Sequence, residues 1–133
     1  SRFGNVLLPA DIEARAERQL IERWGGQLHS QVLVAPHHGS KTSSTPEFID
    51  AVAPRYVLLP AGYRSRYRHP NTAVVQRYVE RGIALRDSPA SGALEFRLRA
   101  TGQGCRCLVL RGLCLPIFLM KRRLSLFQSL LCR

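Results

Sequence analysis

Short apolar runs recur along the first hundred residues of the chain, and each is bounded by glycine, proline or polar residues. Runs of this length and composition are typical of β-strands that are at least partly buried. We therefore predict strands over residues 3–8, 31–35, 55–59, 83–86 and 93–98.

Segments with helical spacing separate the first four strands. In the first segment apolar residues recur every four positions, so we expect a helix that begins at Asp11 and ends at Gly25. The residues predicted to pack are Ile12, Ala16, Leu20 and Trp24. The glutamates predicted to face outward are Glu13, Glu17 and Glu22. A second helix follows Thr45 and a third follows Asn71, because both residue types favour the N-cap position. Alternating strands and helices indicate an α/β fold whose chemistry lies in the loops at strand ends.

Composition identifies an ordinary globular chain with an unusual charge. The 133 residues are 45% hydrophobic, and 20 basic against 9 acidic residues give a net charge of +11. A surplus of this size favours polyanionic partners, either nucleic acid or anionic lipid, but it is equally compatible with a solvated basic surface.

The end of the chain differs from the rest. All 4 cysteines and no acidic residue lie in residues 101–133, so we expect no disulfide partner in the folded body. We divide the chain into a partial domain over 1–100 and a basic, Cys/Leu-rich tail over 101–133. The tail is either poorly ordered, a non-native terminus or an interfacial amphipathic segment. Its apolar stretch at 108–120 is shorter than the about 20 residues that a membrane-spanning helix needs. The chain starts directly with a strand and no signal peptide, as a piece of a longer protein would.

A histidine pair is the clearest chemical signal. His37 and His38 follow the second predicted strand directly, and Asp11 follows the first. Imidazole nitrogen and carboxylate oxygen are preferred zinc ligands, so we predict Asp11, His37 and His38 as metal ligands. The simpler interpretations are an N-cap role for Asp11 and a packed or solvated role for the histidines.

Residues able to contact phosphate surround this pair. Hydroxyl groups follow the histidines at Ser40, Thr42 and Ser43, and a loop with three arginines, two tyrosines and a histidine lies further on. Hydroxyls and guanidinium groups bind phosphate oxygens, and tyrosine rings stack on bases. We therefore predict substrate contacts for these hydroxyls and for the loop arginines, with a catalytic or substrate-orienting role for His69. The predicted substrate-binding arginines are Arg64, Arg66 and Arg68.

Four blocks of sequence, in order and spacing, resemble the C-terminal metallo-β-lactamase-like domain of ComEC-type DNA-internalisation competence proteins. The blocks are residues 6–13, 34–44, 54–57 and 62–70, and the resemblance covers about residues 3 to 99. It implies the C-terminal half of an αββα sandwich, with a mixed sheet and flanking helices. One departure is Ala10, where the family usually has glycine before the aspartate.

The resemblance also implies roles for individual residues. Asp11 corresponds to the carboxylate shared between two divalent metal ions, zinc or manganese. His38 or His37 corresponds to the last histidine ligand, and His69 to a histidine on the substrate side. The catalytic residues would thus be Asp11, His38 and His69. The family's His-x-His-x-Asp-His motif belongs to the N-terminal half of the sandwich and does not occur here, so this chain alone should bind metal weakly and catalyse little.

The parent implied by the resemblance is a bacterial inner-membrane channel for DNA uptake that hydrolyses the strand not imported. The partners would be DNA and the remainder of that polypeptide, including the missing half-domain and the membrane channel. Two alternatives stay open: a related metallo-hydrolase that acts on small phosphoesters, and a non-catalytic basic half-domain that binds nucleic acid or a membrane surface.

Overall fold

The computed structural model describes residues 4–62, 69–88, 94–101 and 104–111. Within them strands and helices alternate as far as the fourth strand, and two further strands follow. The elements are β1 (Val6–Leu7), α1 (Ala14–Trp24), β2 (Val32–Val34), α2 (Pro46–Val52), β3 (Tyr56–Leu59), α3 (Thr72–Glu80), β4 (Ala84–Asp87), β5 (Leu94–Thr101) and β6 (Gly104–Arg111). A short 3₁₀ turn occupies Gly25–Leu28, and a tight turn with left-handed backbone at both histidines occupies Pro36–Gly39.

The first four strands form one parallel sheet in the order β1-β2-β3-β4. Each helix therefore connects two parallel neighbours, as in βαβ units. Strands β5 and β6 pair antiparallel in a second, two-stranded sheet. The predicted α/β class with flanking helices is confirmed.

The hydrophobic core lies between one face of the parallel sheet and the helices. Successive strand residues point to opposite faces, so Leu33, Val57 and Leu59 share the core face. The buried members of the core are Leu28, Leu33, Ala35, Phe48, Ile49, Val52, Val57, Leu59, Val74 and Tyr78. On the other face Val34 and Leu58 are half-buried.

The predicted caps of the two shorter helices are confirmed. The side chain of Thr45 accepts a hydrogen bond from the backbone N–H of Phe48, and that of Asn71 accepts one from Ala73. Each cap satisfies one of the N–H groups that a helix N-terminus leaves without an intrahelical partner. Both helices thus begin directly after a loop at the carboxyl edge of the sheet.

The predictions for the first strand and helix need correction. The strand spans only Val6–Leu7, and Val6 is exposed, so a buried strand over 3–8 was wrong for the described residues. Helix α1 begins at Ala14 with Glu13 at its N-cap position, one turn later than expected from Asp11. Trp24, expected to pack in the core, is 46% exposed beside the Arg23 guanidinium.

The burial of Glu17 is the largest correction. We expected this side chain to face outward, but it is fully buried. It lies three and four positions before Leu20 and Ile21, on the helical face that packs against the core. Its carboxylate contributes to the loop that carries the histidine pair, as described below.

Strand β6 lies within the segment that the sequence analysis assigned to a basic tail, and it pairs with β5 along its length. Residues 102–103 and 112–133 lie outside the described residues, so the division of the chain at residue 100 stays a prediction. Among the helices that the structure describes, none has the length and apolarity needed to cross a membrane.

Candidate metal centre

The carboxyl ends of β1, β2 and β3 meet at one edge of the parallel sheet. The loops that leave these ends are joined by backbone hydrogen bonds. The N–H of His37 donates to the Ala10 carbonyl at 3.0 Å, and the N–H of Ala14 donates to the Thr42 carbonyl at 3.0 Å. The predicted convergence of the first two strand ends is therefore present in the backbone itself.

His38 and Asp11 lie side by side at this edge. The Nε2 atom of His38 is 3.6 Å from Oδ1 of Asp11. The Nδ1 atom of His38 lies 2.9 Å from the Pro60 carbonyl oxygen, which can only accept a hydrogen bond, so Nδ1 carries the proton of the neutral ring. This leaves the lone pair of Nε2 beside the carboxylate. Both side chains are at least half exposed.

A second carboxylate–histidine pair lies next to the first. The Nδ1 atom of His37 is 3.3 Å from Oε1 of Glu13, and that same oxygen accepts a hydrogen bond from the Thr42 hydroxyl at 2.9 Å. The His37 and His69 ring centroids are 6.1 Å apart, and those of His37 and His38 are 6.5 Å apart. The structure thus brings His69 to the same edge as His37, and its catalytic or substrate-orienting role stays a prediction.

Three residues at this edge have a left-handed backbone. Ala10, His37 and His38 have φ angles of 56°, 47° and 55°. This conformation costs a non-glycine residue on the order of 1 kcal/mol, and it is concentrated at functional sites. The angle at Ala10 explains why glycine suits the position before the aspartate.

Gly39 allows the third loop to approach the histidine pair. Its φ angle is 77°, and a Cβ atom at this position would lie 2.9 Å from Cβ of Pro70. The Gly39 carbonyl accepts a hydrogen bond from the Asn71 N–H at 2.9 Å. This contact fixes the segment after His69 against the histidine loop.

A buried polar network holds the loop between β2 and α2 in place. Glu17 accepts hydrogen bonds from the Ser44 N–H (2.6 Å), the Thr45 N–H (2.9 Å) and the Thr45 hydroxyl (2.7 Å). Tyr78 donates from its hydroxyl to Oγ of Ser44 at 2.9 Å. Arg77 donates from Nη1 to the carbonyls of Ser43 and Ser44 at 3.2 and 2.9 Å. Burial raises the pKa of Tyr78 to about 12, against the lowering effect of its hydrogen bond to Ser44.

The hydroxyl residues of the loop have different surroundings. Ser43 is fully buried and donates to the carbonyls of Pro36 and Ser40 at 2.8 and 3.0 Å, so its hydroxyl holds the loop together. Ser40 is nearly buried, and its Oγ lies 3.1 Å from the hydroxyl of Thr42, which is exposed. Substrate contact by these hydroxyls stays a prediction.

The three loop arginines, Arg64, Arg66 and Arg68, lie outside the described residues, and so do their predicted substrate contacts. Several residues of this region had no predicted site role, among them Glu13, Glu17 and Tyr78. The sequence carried one signal for Glu13, its position two residues after Asp11 in a block of the resemblance.

The donor set fits part of a metal site. Two ligand atoms on one tetrahedral zinc ion lie about 3.4 Å apart, close to the separation of the Asp11 and His38 atoms. Metal-binding histidines generally donate their other ring N–H to a carbonyl or carboxylate, as His38 does to Pro60. No three His, Cys, Asp or Glu side chains in the described part of the chain are arranged to hold an ion. Asp11 and His38 therefore fit as two ligands of a site that needs further donors.

Comparison with known proteins finds similarity to proteins named for competence. The chain is 43% identical over 97 residues to competence protein ComA of Neisseria gonorrhoeae, a match that covers 73% of this chain and 14% of that protein. It is 36% identical over 113 residues to the uncharacterized protein YcaI of Escherichia coli, covering 85% of this chain and 15% of that protein. It is 29% identical over 93 residues to ComE operon protein 3 of Bacillus subtilis, covering 70% and 12%. No model of a known protein family matches the chain.

The chain is thus similar to a part of two proteins named for competence. The chain spans between 12% and 15% of the length of these three relatives.

Proposed function

We propose that this chain is part of a metal-dependent hydrolase domain of a DNA-uptake competence protein, and that the complete domain hydrolyses DNA phosphodiesters during transformation. The observation that carries the proposal is the Asp11–His38 pair. The Oδ1 and Nε2 atoms lie 3.6 Å apart with their lone pairs available, at the edge of the sheet where three loops meet. The similarity to a competence protein supports the DNA-uptake part.

Asp11 and His38 would hold a divalent ion, zinc or manganese, together with ligands from the remainder of the domain. Such an ion supplies Lewis acidity at the phosphodiester and lowers the pKa of water. The protein residues have separate tasks. The Pro60 carbonyl keeps the proton of His38 on Nδ1, and the left-handed backbone at residues 37 and 38 aims both rings at the same edge.

His69 would act on the substrate side, because its ring lies beside His37 and its segment follows the arginine-rich loop. Arg64, Arg66 and Arg68 would neutralise backbone phosphates. In the same proposal the parent protein lies in the bacterial inner membrane. This segment packs against the other half of the domain, which belongs to the same polypeptide. We propose the same for three further features of the intact domain: a centre with two metal ions, an αββα sandwich, and zinc or manganese as the metal.

Hydrolysis of single-stranded DNA by the complete domain tests this function. Asp11→Ala and His38→Ala should each abolish turnover while DNA binding is retained, because these side chains contact the ion and not the backbone phosphates. His29→Ala is the matched control, since this exposed histidine precedes β2, at the other end of the strand from His38. Wild-type turnover in either site variant would remove that residue from the mechanism.

Two alternatives have their own outcomes. A preference for long single-stranded DNA over a small chromogenic diester supports the nuclease, whereas equal or better use of the small diester supports a phosphoesterase. The net charge of +11 favours the third candidate, a non-catalytic module that binds nucleic acid or a membrane surface. Metal-independent DNA binding with a steep salt dependence and no turnover in the complete domain would establish that candidate.

A further inference from the structure

Glu13 occupies the N-cap position of α1 but does not cap the helix. Its backbone is extended, and its side chain makes no hydrogen bond to the helix N-terminus. The carboxylate is turned instead toward the loop that follows β2. There Oε1 accepts the hydrogen bond from Thr42 and lies 3.3 Å from Nδ1 of His37.

The Nδ1 atom of His37 is buried, and its contact with Glu13 has ion-pair distance without hydrogen-bond alignment. Hydrogen bonds in catalytic sites are often long or poorly aligned before substrate binds. A carboxylate oxygen is only an acceptor, so a proton on Nδ1 satisfies both groups and a lone pair there satisfies neither. The surroundings of His37 therefore favour the tautomer that has its proton on Nδ1.

We propose that Glu13, held by Thr42, is a positioning residue that fixes the tautomer and ring orientation of His37, so that its Nε2 atom is free to bind a ligand. This inference rests on the proposed function and deepens it. The Pro60 carbonyl fixes His38 in the same way, and the two adjacent histidines then present the same ring atom. Each histidine of the pair has its own acceptor, from a different loop.

Side-chain ¹⁵N NMR of the full chain tests the positioning role. Spectra are recorded under alkaline conditions in which imidazole is neutral, so the nitrogen shifts report the tautomer. Wild-type His37 should be predominantly protonated on Nδ1. Glu13→Ala should convert it to the form protonated on Nε2, which free imidazole side chains prefer, and His38 should be unchanged.

Variants of Thr42 and a matched glutamate complete the experiment. Thr42→Val should convert part of the His37 population, and Thr42→Ser should restore the wild-type spectrum because it keeps the hydroxyl. Glu22→Ala removes an exposed glutamate from the same helix and should change nothing. A purely structural role for Glu13 would lower stability without changing the tautomer.

Two results would overturn the inference: wild-type His37 protonated on Nε2, or an unchanged tautomer in folded Glu13→Ala protein. If Glu13→Ala does not fold, Glu13→Lys and Thr42→Val decide the question by the same spectra. Zinc added to the same samples separates this inference from the proposed function. A tautomer that responds to Glu13 in a chain whose histidines ignore zinc supports positioning and contradicts the metal site. Zinc binding by Asp11 and His38, with a His37 tautomer that does not change in Glu13→Ala, supports the metal site and contradicts the positioning role.

Discussion

Glu17 and Thr45 connect α1 to the start of α2 through two hydrogen bonds on a single carboxylate oxygen. The Oε2 atom of Glu17 accepts from both the N–H and the hydroxyl of Thr45, at 2.9 and 2.7 Å. The other oxygen accepts from the Ser44 N–H. The loop that ends at Thr45 carries the histidine pair, so a buried carboxylate on one helix fixes the position of the candidate site.

Glu17→Ala should therefore destabilise the protein strongly. It leaves two backbone N–H groups and a hydroxyl in a buried region without their acceptor, and losses of this kind cost about 3–5 kcal/mol. Urea unfolding followed by circular dichroism measures the change in the free energy of unfolding. Glu22→Ala, on the exposed side of the same helix, should stay within about 0.5 kcal/mol of wild type. Equal effects in the two variants would contradict the role of Glu17.

Gly39→Ala should separate the histidine loop from the segment after His69. The new Cβ would lie 2.9 Å from Cβ of Pro70, and the φ angle of 77° is unfavourable for alanine. We expect the free energy of unfolding to fall by about 1–3 kcal/mol. Gly26→Ala is the matched control, because a Cβ there meets nothing within 4 Å and its φ angle is not positive. A stable Gly39→Ala variant with unchanged His69 signals would show that this close packing is not required.

Tyr78 should make the protein sensitive to alkaline pH. Its pKa is raised from 10.0 to about 12 by burial, so the unfolded state loses the phenol proton first. The stabilisation of the folded state by protonated Tyr78 is complete below pH 10, and it is lost as the pH rises through 12. Its size is on the order of 2–3 kcal/mol.

Tyr78→Phe tests this assignment. It costs about 1 kcal/mol at neutral pH because the hydrogen bond to Ser44 is removed. Urea unfolding should show that the free energy of unfolding of the wild type falls between pH 9 and 12. In the variant this fall should be smaller by the contribution of Tyr78. Parallel declines in the two proteins would assign the alkaline loss to other groups.

Arg64, Arg66 and Arg68 should contribute to the salt dependence of DNA binding. Removing one phosphate interaction lowers the slope of log K against log salt concentration by about 0.7 for single strands, so replacing all three arginines with alanine should lower it by about 2. Fluorescence anisotropy with labelled oligonucleotides gives the slope. Replacing Arg15, Arg18 and Arg23, exposed on α1, makes the same change in net charge and is the control. Equal reductions in both triple variants would mean that the loop does not bind phosphate specifically.

The sequence predicted the alternation of strands and helices as far as β4, but it did not predict β6. Helix caps at Thr45 and Asn71 and the loop after β2 are local features, and local chemistry determined them. The buried position of Glu17 was missed because a glutamate beside arginines on a helix usually faces solvent. Its partners are 27 and 28 residues away, and spacing along the chain does not reveal such contacts.

The assignment of atoms in the candidate site also required the structure. The sequence left open which histidine binds metal, because His37 and His38 are adjacent and chemically identical. In the structure the Nε2 atom of His38 lies 3.6 Å from Oδ1 of Asp11, and the Pro60 carbonyl lies 2.9 Å from Nδ1 of the same ring. The role of Glu13 likewise depends on a contact with Thr42 across two loops.

The most direct test of the proposed site is a zinc titration of the full chain followed by histidine side-chain ¹⁵N NMR. We predict that millimolar zinc shifts the Nε2 signal of His38, that Asp11→Ala removes this shift, and that the exposed His29 stays unchanged at the same concentrations. No response of His38, or an equal response in the Asp11→Ala variant, would contradict the assignment of these two residues as metal ligands.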